Sequence, residues 1–284
     1  MPEDDRAATP VADRDPGETR ELVRERYAEV ATSGQGCCDD VSIDATTDDG
    51  ACCGEDADAT GSERLGYDAE DVASVADGAD LGLGCGNPKA FAAMTAGETV
   101  LDLGSGAGFD CFLAADEVGP DGRVIGVDMT PEMVSKAREN VAKNDAANVA
   151  FRLGEISHLP VADAVVDVVI SNCVVNLAPD KRRVFDDAYR VLRPGGRLAI
   201  SDVVQTAPFP DDVRTDPDSL TGCVAGAATV DELEEMLDDA GYEGIEIAPK
   251  AESTEFISEW DADRDLGDYL VSATIEAVKP SASD

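Results

Sequence analysis

The chain has 284 residues, 43% of them hydrophobic, which suits one domain with additions or two small ones. A formal net charge of −39, spread along the whole sequence, repels nucleic-acid phosphates and anionic lipid, so neither is expected as a partner. Residues 1–20 lack the apolar core of a secretory signal, and no run reaches the ~18 apolar residues of a membrane span, so a cytoplasmic protein is expected.

Residues 1–16 are rich in Asp, Pro and Ala and are expected to be disordered. Residues 19–32 read as an amphipathic helix, with Leu22, Val23, Tyr27 and Val30 on one side. Residues 33–62 cannot pack a core and read as a loop carrying two pairs, Cys37-Cys38 and Cys52-Cys53. Adjacent cysteines chelate one metal poorly, and no C-x-x-C or neighbouring His completes a zinc pattern. One pair helping to capture a soft ligand stands against a plain acidic linker with incidental thiols. Residues 68–75 suit a short helix. In LGLGCGNPKAFAAM (81–94), Cys85 is held between Gly84 and Gly86, and Asn87-Pro88 turns the chain.

The stretch ETVLDLGSGAGFD, 98–110, predicts a strand at 99–103, a glycine turn and a helix start. The pattern is G-x-G-x-G over Gly104, Gly106 and Gly108, with Asp102 two residues ahead; Phe109 stands where a dinucleotide fingerprint needs its third glycine. A second acid, Asp128, ends the next strand (123–129), where a carboxylate can take both ribose hydroxyls of an adenosine. This layout resembles motif I of the class I S-adenosylmethionine (SAM) methyltransferases. From 97 to 205 strands and helices alternate, as in a parallel doubly wound sheet. Thr130-Pro131 starts one helix; VAFRLGEI reads as the third strand and VVDVVISN as the fourth. Asp180 caps a helix to Leu192, and a Pro194-Gly195-Gly196 turn leads to the fifth strand, RLAISDVV. An insertion at 206–227 follows. Thr229 and Glu232 form a capping box for a helix at 230–240 that Gly241 stops, and GIEIAP and YLVSATIEAV read as an antiparallel closing pair.

Eight cysteines in a reducing compartment suggest soft-metal or redox chemistry more than structural disulfides. Ligands of open α/β sheets bind beyond the carboxyl ends of the strands. Cys173 directly follows the fourth strand, Cys85 lies in the entry segment and Cys223 in the insertion, so all three can converge there. Three thiolates favour a thiophilic ion. Cys111, inside the first helix after the glycine loop, reads as a small buried hydrophobe. The only histidine, His158, falls in a polar turn and is expected in solvent. Without a general base, transfer to an atom that already presents a lone pair is the natural reaction.

GLGCGNP, TVLDLGSGAGFDCFLAA, GRVIGVDMTPEM, FRLGEI, LPVAD, VVISNCVVNL, LRPGGRLAISDVV and GCVAGA occur in order over residues 68–243 and are similar to the arsenite methyltransferases. The resemblance implies a Rossmann-like class I methyltransferase fold: a mostly parallel seven-stranded sheet with an antiparallel closing strand. It would comprise an N-terminal Cys-containing segment (1–67), an entry segment (68–96), the SAM-binding core (97–205) and a substrate-side C-terminal extension (206–284). It implies SAM as cofactor, with Asp102, Gly104, Ser105, Gly106, Gly108, Asp128, Met129, Glu155, Ile156 and Asn172 around it. Asp128 would hold the ribose, and Glu155 and Ile156 would flank the adenine amine. It implies arsenite, or its thiol conjugate, bound as As(III) by Cys85, Cys173 and Cys223, with a further cysteine, Cys37 or Cys38, assisting. In-line methyl transfer would detoxify arsenic, and a thioredoxin-like or small-thiol reductant would restore the cysteines. A methyltransferase of a small organic substrate, and a non-catalytic As(III) or soft-metal binder, are the rival readings. The acidic surface suggests a high-salt interior, where dense salt screens self-repulsion.

Overall fold

A computed structural model describes residues 14–33, 61–261 and 264–281; the expectations for residues 1–13 and for the Cys37-Cys38 and Cys52-Cys53 pairs lie outside them. The chain opens with helix α1 (Pro16–Ser33), followed by the short helices α2 (Gly61–Arg64) and α3 (Ala69–Ser74) and a single 3-10 turn at Pro88–Ala90. The alternating core is β1 (Thr99–Leu103), α4 (Phe109–Val118), β2 (Arg123–Asp128), α5 (Pro131–Lys143), β3 (Val149–Leu153), β4 (Val166–Asn172), α6 (Lys181–Val191) and β5 (Leu192–Gln205). The insertion holds α7 (Asp211–Thr215) and α8 (Pro217–Thr221), and the chain closes with α9 (Val230–Ala240), β6 (Glu243–Lys250), α10 (Ser253–Ser258) and β7 (Leu270–Val278).

The seven strands lie in the order β3-β2-β1-β4-β5-β7-β6. β1 to β5 are mutually parallel, and β7 runs antiparallel to both β5 and β6. The expected mixed sheet is therefore present. Side chains on its two faces bury separate cores, because strand side chains alternate in direction. Leu101, Leu103, Val169 and Leu198 pack with Phe185 of α6 and Leu237 of α9. Val100, Val124 and Val168 pack with Phe112 of α4 and Val134 of α5.

Helix boundaries follow local chemistry. Gly108 enters α4 in the left-handed region (φ 102°). The Asp180 carboxylate accepts from the Arg183 amide at the start of α6. Thr229 and Glu232 make both bonds of a capping box on α9, and Gly241 ends that helix at φ 93°. Two expectations differ from the structure. β3 stops at Leu153 and not at Glu155-Ile156: the Gly154 amide makes the last ladder bond, to the Asp128 carbonyl, and the chain then turns, with the His158 amide donating to the Glu155 carbonyl. β5 begins before the Pro-Gly-Gly turn: Leu192 already pairs with Val166, and the ladder shifts register before Arg197 meets Val168. Thr130 caps α5 by position, but its side chain makes no capping bond.

A third, smaller core lies at the carboxyl edge of the sheet. It joins Val23 of α1 to Cys85, Cys173, Val203, Cys223 and Val224, with Tyr27 and Met129 packed against it. α1 is fixed over this edge by the Arg20–Glu155 ion pair (2.8 Å) and by the Lys136 ammonium, which donates to the Ala31 carbonyl (3.0 Å). No helix among the described residues is long and apolar enough to cross a membrane.

Candidate active site

The glycine loop is built so that side chains cannot occupy it. Gly104 has φ 70°, and a Cβ there would stand 2.5 Å from Val174; at Gly108 it would stand 2.6 Å from Phe151. A Cβ at Gly106 would meet nothing within 4 Å, so the loop faces open space on that side. The buried Ser105 hydroxyl has no hydrogen-bond partner. The recess at Gly106, free of side chains, fits a polar ligand.

Asp128, at the end of β2, accepts from the Gly106 amide (3.0 Å) and the Thr130 amide (2.8 Å). Burial raises its carboxyl above the usual range, and these two amides oppose the rise. Glu155 lies beside it across the edge, half-exposed and paired with Arg20; Ile156 packs onto the main core. Met129, directly after Asp128, packs against the small core at the carboxyl edge. The donor and acceptor set suits an adenosyl cofactor.

Asn172 ends β4 and reaches three ways. Its carbonyl oxygen accepts from the Cys85 amide (3.0 Å), and its amide nitrogen donates to the Gly86 carbonyl (2.7 Å) and the Tyr67 hydroxyl (3.0 Å). Gly84 permits this approach, since a Cβ there would stand 2.7 Å from the Asn172 amide. The Tyr67 hydroxyl in turn donates to Asp110 (2.6 Å). Cys111 is fully buried, as expected, and its thiol also donates to Asp102 (3.2 Å). Burial raises Asp102 well above the ordinary carboxylate range, and the charge of Asp110 adds to the rise.

Three cysteines meet at the same edge. Cys85 and Cys173, 88 residues apart, are joined as a disulfide with Cα atoms 5.7 Å apart. The Cys223 thiol donates to the Cys173 carbonyl (2.7 Å). The sequence reading expects three free thiolates; the structure brings the three residues together but holds two of them oxidised. Cys173 (φ 57°) and Cys223 (φ 65°) both sit in the left-handed region, which a Cβ disfavours. His158 is exposed and takes no part.

Sequence reasoning missed the polar residues around the thiols. Asp202 of β5 offers a carboxylate oxygen within 4.8 Å of the Cys85 and Cys173 sulfurs. The Asn176 side chain and the Val203 amide each donate to it at 2.8 Å. Burial pushes Asp202 up to about 6, against the pull of those bonds and of the Lys181 charge. Lys181, at the start of α6, is lowered by burial and held up by the charges of Asp202 and Cys223. The available signal is an acid inside an apolar strand, LAISDVV, which buried strands do not tolerate without partners. Tyr67 and Asp110 gave no such signal.

Residues 94–241 match the methyltransferase domain family. An arsenite methyltransferase of Halobacterium salinarum is 81% identical over 276 residues, covering 97% of this chain and 70% of that protein. The human arsenite methyltransferase is 36% identical over 64% of this chain, and the match spans about half (51%) of its length. Among solved structures, an arsenic(III) S-adenosylmethionine methyltransferase from Chlamydomonas reinhardtii superposes with a TM-score of 0.57 at 32% identity, over 78% of this chain and 74% of that one.

Proposed function

This chain belongs to the arsenite methyltransferase family, and from that premise we propose that it moves the methyl group of S-adenosylmethionine onto trivalent arsenic held by Cys85, Cys173 and Cys223. The observation that carries the reading is the meeting of three cysteines from distant segments in one buried cluster beside Asn172. Bound S-adenosylmethionine supplies an electrophilic methyl group on a sulfonium sulfur. Asp128 is suited to the ribose hydroxyls, the Gly104–Gly108 backbone to the amino-acid part, and Glu155 with Ile156 to the adenine edge.

Arsenic bound by three sulfurs is pyramidal and keeps a lone pair, so the reaction needs no proton removed from the acceptor. That suits a site whose only histidine lies in solvent. The protein's contribution is then positioning, the effective-molarity gain of holding two reactants in one geometry. The Cys85–Cys173 disulfide must open first. Two reductant thiols would deliver two electrons and two protons, leaving two protein thiols and one oxidised reductant disulfide. A thioredoxin-like protein or a small thiol is the proposed reductant, and Cys37 or Cys38 the proposed assisting thiol.

The test is incubation with S-adenosylmethionine, arsenite and a thiol reductant in high KCl, followed by arsenic speciation. Wild type should form methylated arsenicals. Cys173→Ser and Cys223→Ser should lose them while still binding the cofactor. A folded, cofactor-binding wild type that forms none would overturn the assignment, and serine variants with near-normal turnover would point to an organic acceptor.

A further inference from the structure

Asp202 is 2% exposed and stands beside Cys85 and Cys173, themselves 4% and 8% exposed. The two sulfurs and one of its carboxylate oxygens all lie within 4.8 Å of one another. Packing does not call for an acid here, since Ile200, Val203 and Val204 of the same strand are apolar and buried. Burying a carboxylate among them costs free energy that partners must offset. Its Oδ1 accepts both short bonds, from the Asn176 side chain and the Val203 amide, each at 2.8 Å. Its Oδ2 accepts only the longer bond from the Asn176 amide (3.3 Å). A carboxylate oxygen has room for two partners, so Oδ2 is held in place with a lone pair to spare.

The arsenic site proposed above uses three sulfurs and leaves this oxygen out. Its third sulfur, that of Cys223, is turned to the Cys173 carbonyl (2.7 Å). Among the described residues it is Asp202, not Cys223, that completes the group of ligand atoms gathered with the other two sulfurs. Trivalent arsenic is soft and is held by sulfur, whereas ions of the zinc class take thiolate and carboxylate together. Zinc binds sulfur at about 2.3 Å and carboxylate oxygen at about 2.0–2.2 Å, so two of its ligands lie at most about 4.6 Å apart.

We propose that the reduced chain binds a divalent cation of the zinc class through the Cys85 and Cys173 thiolates and the Asp202 carboxylate. The ion and arsenic would exclude each other, because both need the same two sulfurs. The cation site stands on the geometry of these three residues; the exclusion rests on the arsenic reading above. Two thiolates and a carboxylate outweigh a divalent ion by one negative charge, and the Lys181 ammonium supplies a positive charge that acts on Asp202.

Zinc and cobalt(II) titrations of the full chain in high KCl test the proposal, with Cys37, Cys38, Cys52 and Cys53 changed to serine so that those pairs do not compete. A phosphine opens the disulfide: it takes an oxygen from water to become its oxide and leaves two thiols, whose protons the metal displaces. The reduced chain should bind one zinc ion, and cobalt should give thiolate-to-metal charge-transfer absorption. The oxidised chain should show neither. Asp202→Asn should weaken zinc by about tenfold or more and leave arsenite within about twofold; Cys223→Ser should do the reverse. Arsenite should displace bound cobalt and remove its absorption. A reduced chain without the cobalt signature, or an Asp202→Asn variant that weakens both ligands equally or neither, overturns the cation site. Should Asp202→Asn fail to fold, Cys223→Ser carries the test, and loss of zinc together with arsenite in that variant overturns the site. Cobalt absorption that survives saturating arsenite overturns the exclusion. A chain that binds zinc in this pattern but no arsenite overturns the arsenic reading instead and leaves the cation site standing.

Discussion

Cys173 and Cys223 hold left-handed backbone that glycine adopts freely and other residues adopt at a cost. Such strain persists where the surroundings over-determine the backbone, and here it accompanies the Cys223 thiol's bond to the Cys173 carbonyl. The backbone and sulfur contributions are separable. Cys223→Gly and Cys223→Ala both remove the thiol, but only glycine relieves the φ of 65°. The glycine variant should be more stable than the alanine variant by about 1 kcal/mol, read as a higher urea midpoint, while both lose arsenic methylation. Equal midpoints would mean that the loop relaxes and stores nothing. At this scale the sequence exposed the cysteines and glycines, because few residue types do what they do. It did not expose Lys181 or Asp202 beside the cysteines, because acids and lysines are common and their role depends on which way a side chain turns.

The elements were more legible than the contacts between them. Strand and helix alternation over 97–205 follows from period-2 apolar runs separated by glycine turns, and helix starts followed Asp180 and Thr229. The limits of β3 and β5 were not legible. β3 ends where its pairing with β2 ends, at the Gly154 bond to the Asp128 carbonyl, and the Pro-Gly-Gly turn sits inside β5 because Leu192 finds a partner in Val166. Both depend on a neighbouring strand, which local pattern does not contain. The capping box gives a direct element-scale expectation. Thr229→Ala removes the hydroxyl's bond from the Glu232 amide and its bond to the Glu232 carboxylate, which keeps only the residue 229 amide at 2.9 Å. The loss should be about 1 kcal/mol, lowering the melting midpoint by roughly 2–4 °C. Cofactor affinity should stay unchanged, since α9 packs on the face of the sheet behind the site. A fall in affinity with no fall in midpoint would place α9 in the binding machinery instead.

Over the whole molecule the surface acids and the raised buried acids both lower stability as pH rises, and salt separates them. Surface acids contribute most of the −39 charge and repel one another over a screening length of about 10 Å at 0.1 M salt and about 3 Å at 1 M. The melting midpoint should therefore climb with KCl, and a flat response would remove self-repulsion as a factor. The buried acids Asp102, Asp110, Asp128 and Asp202 are all raised by desolvation in the folded chain. A carboxyl raised on folding binds more protons folded than unfolded, so its stability contribution falls as pH rises from the unfolded value toward the folded one, here from about 4 to about 6. Glu98, Asp187 and Asp216 are lowered by their arginine partners, and they lose stability only below about pH 4. Between about pH 5 and pH 7 the raised set governs the slope. Stability should then be higher at about pH 5.5 than at about pH 7.5. Molar KCl should shrink the difference by screening the surface, yet leave a remainder that belongs to buried groups salt cannot reach. A pH difference that vanishes in molar KCl would assign it wholly to the surface.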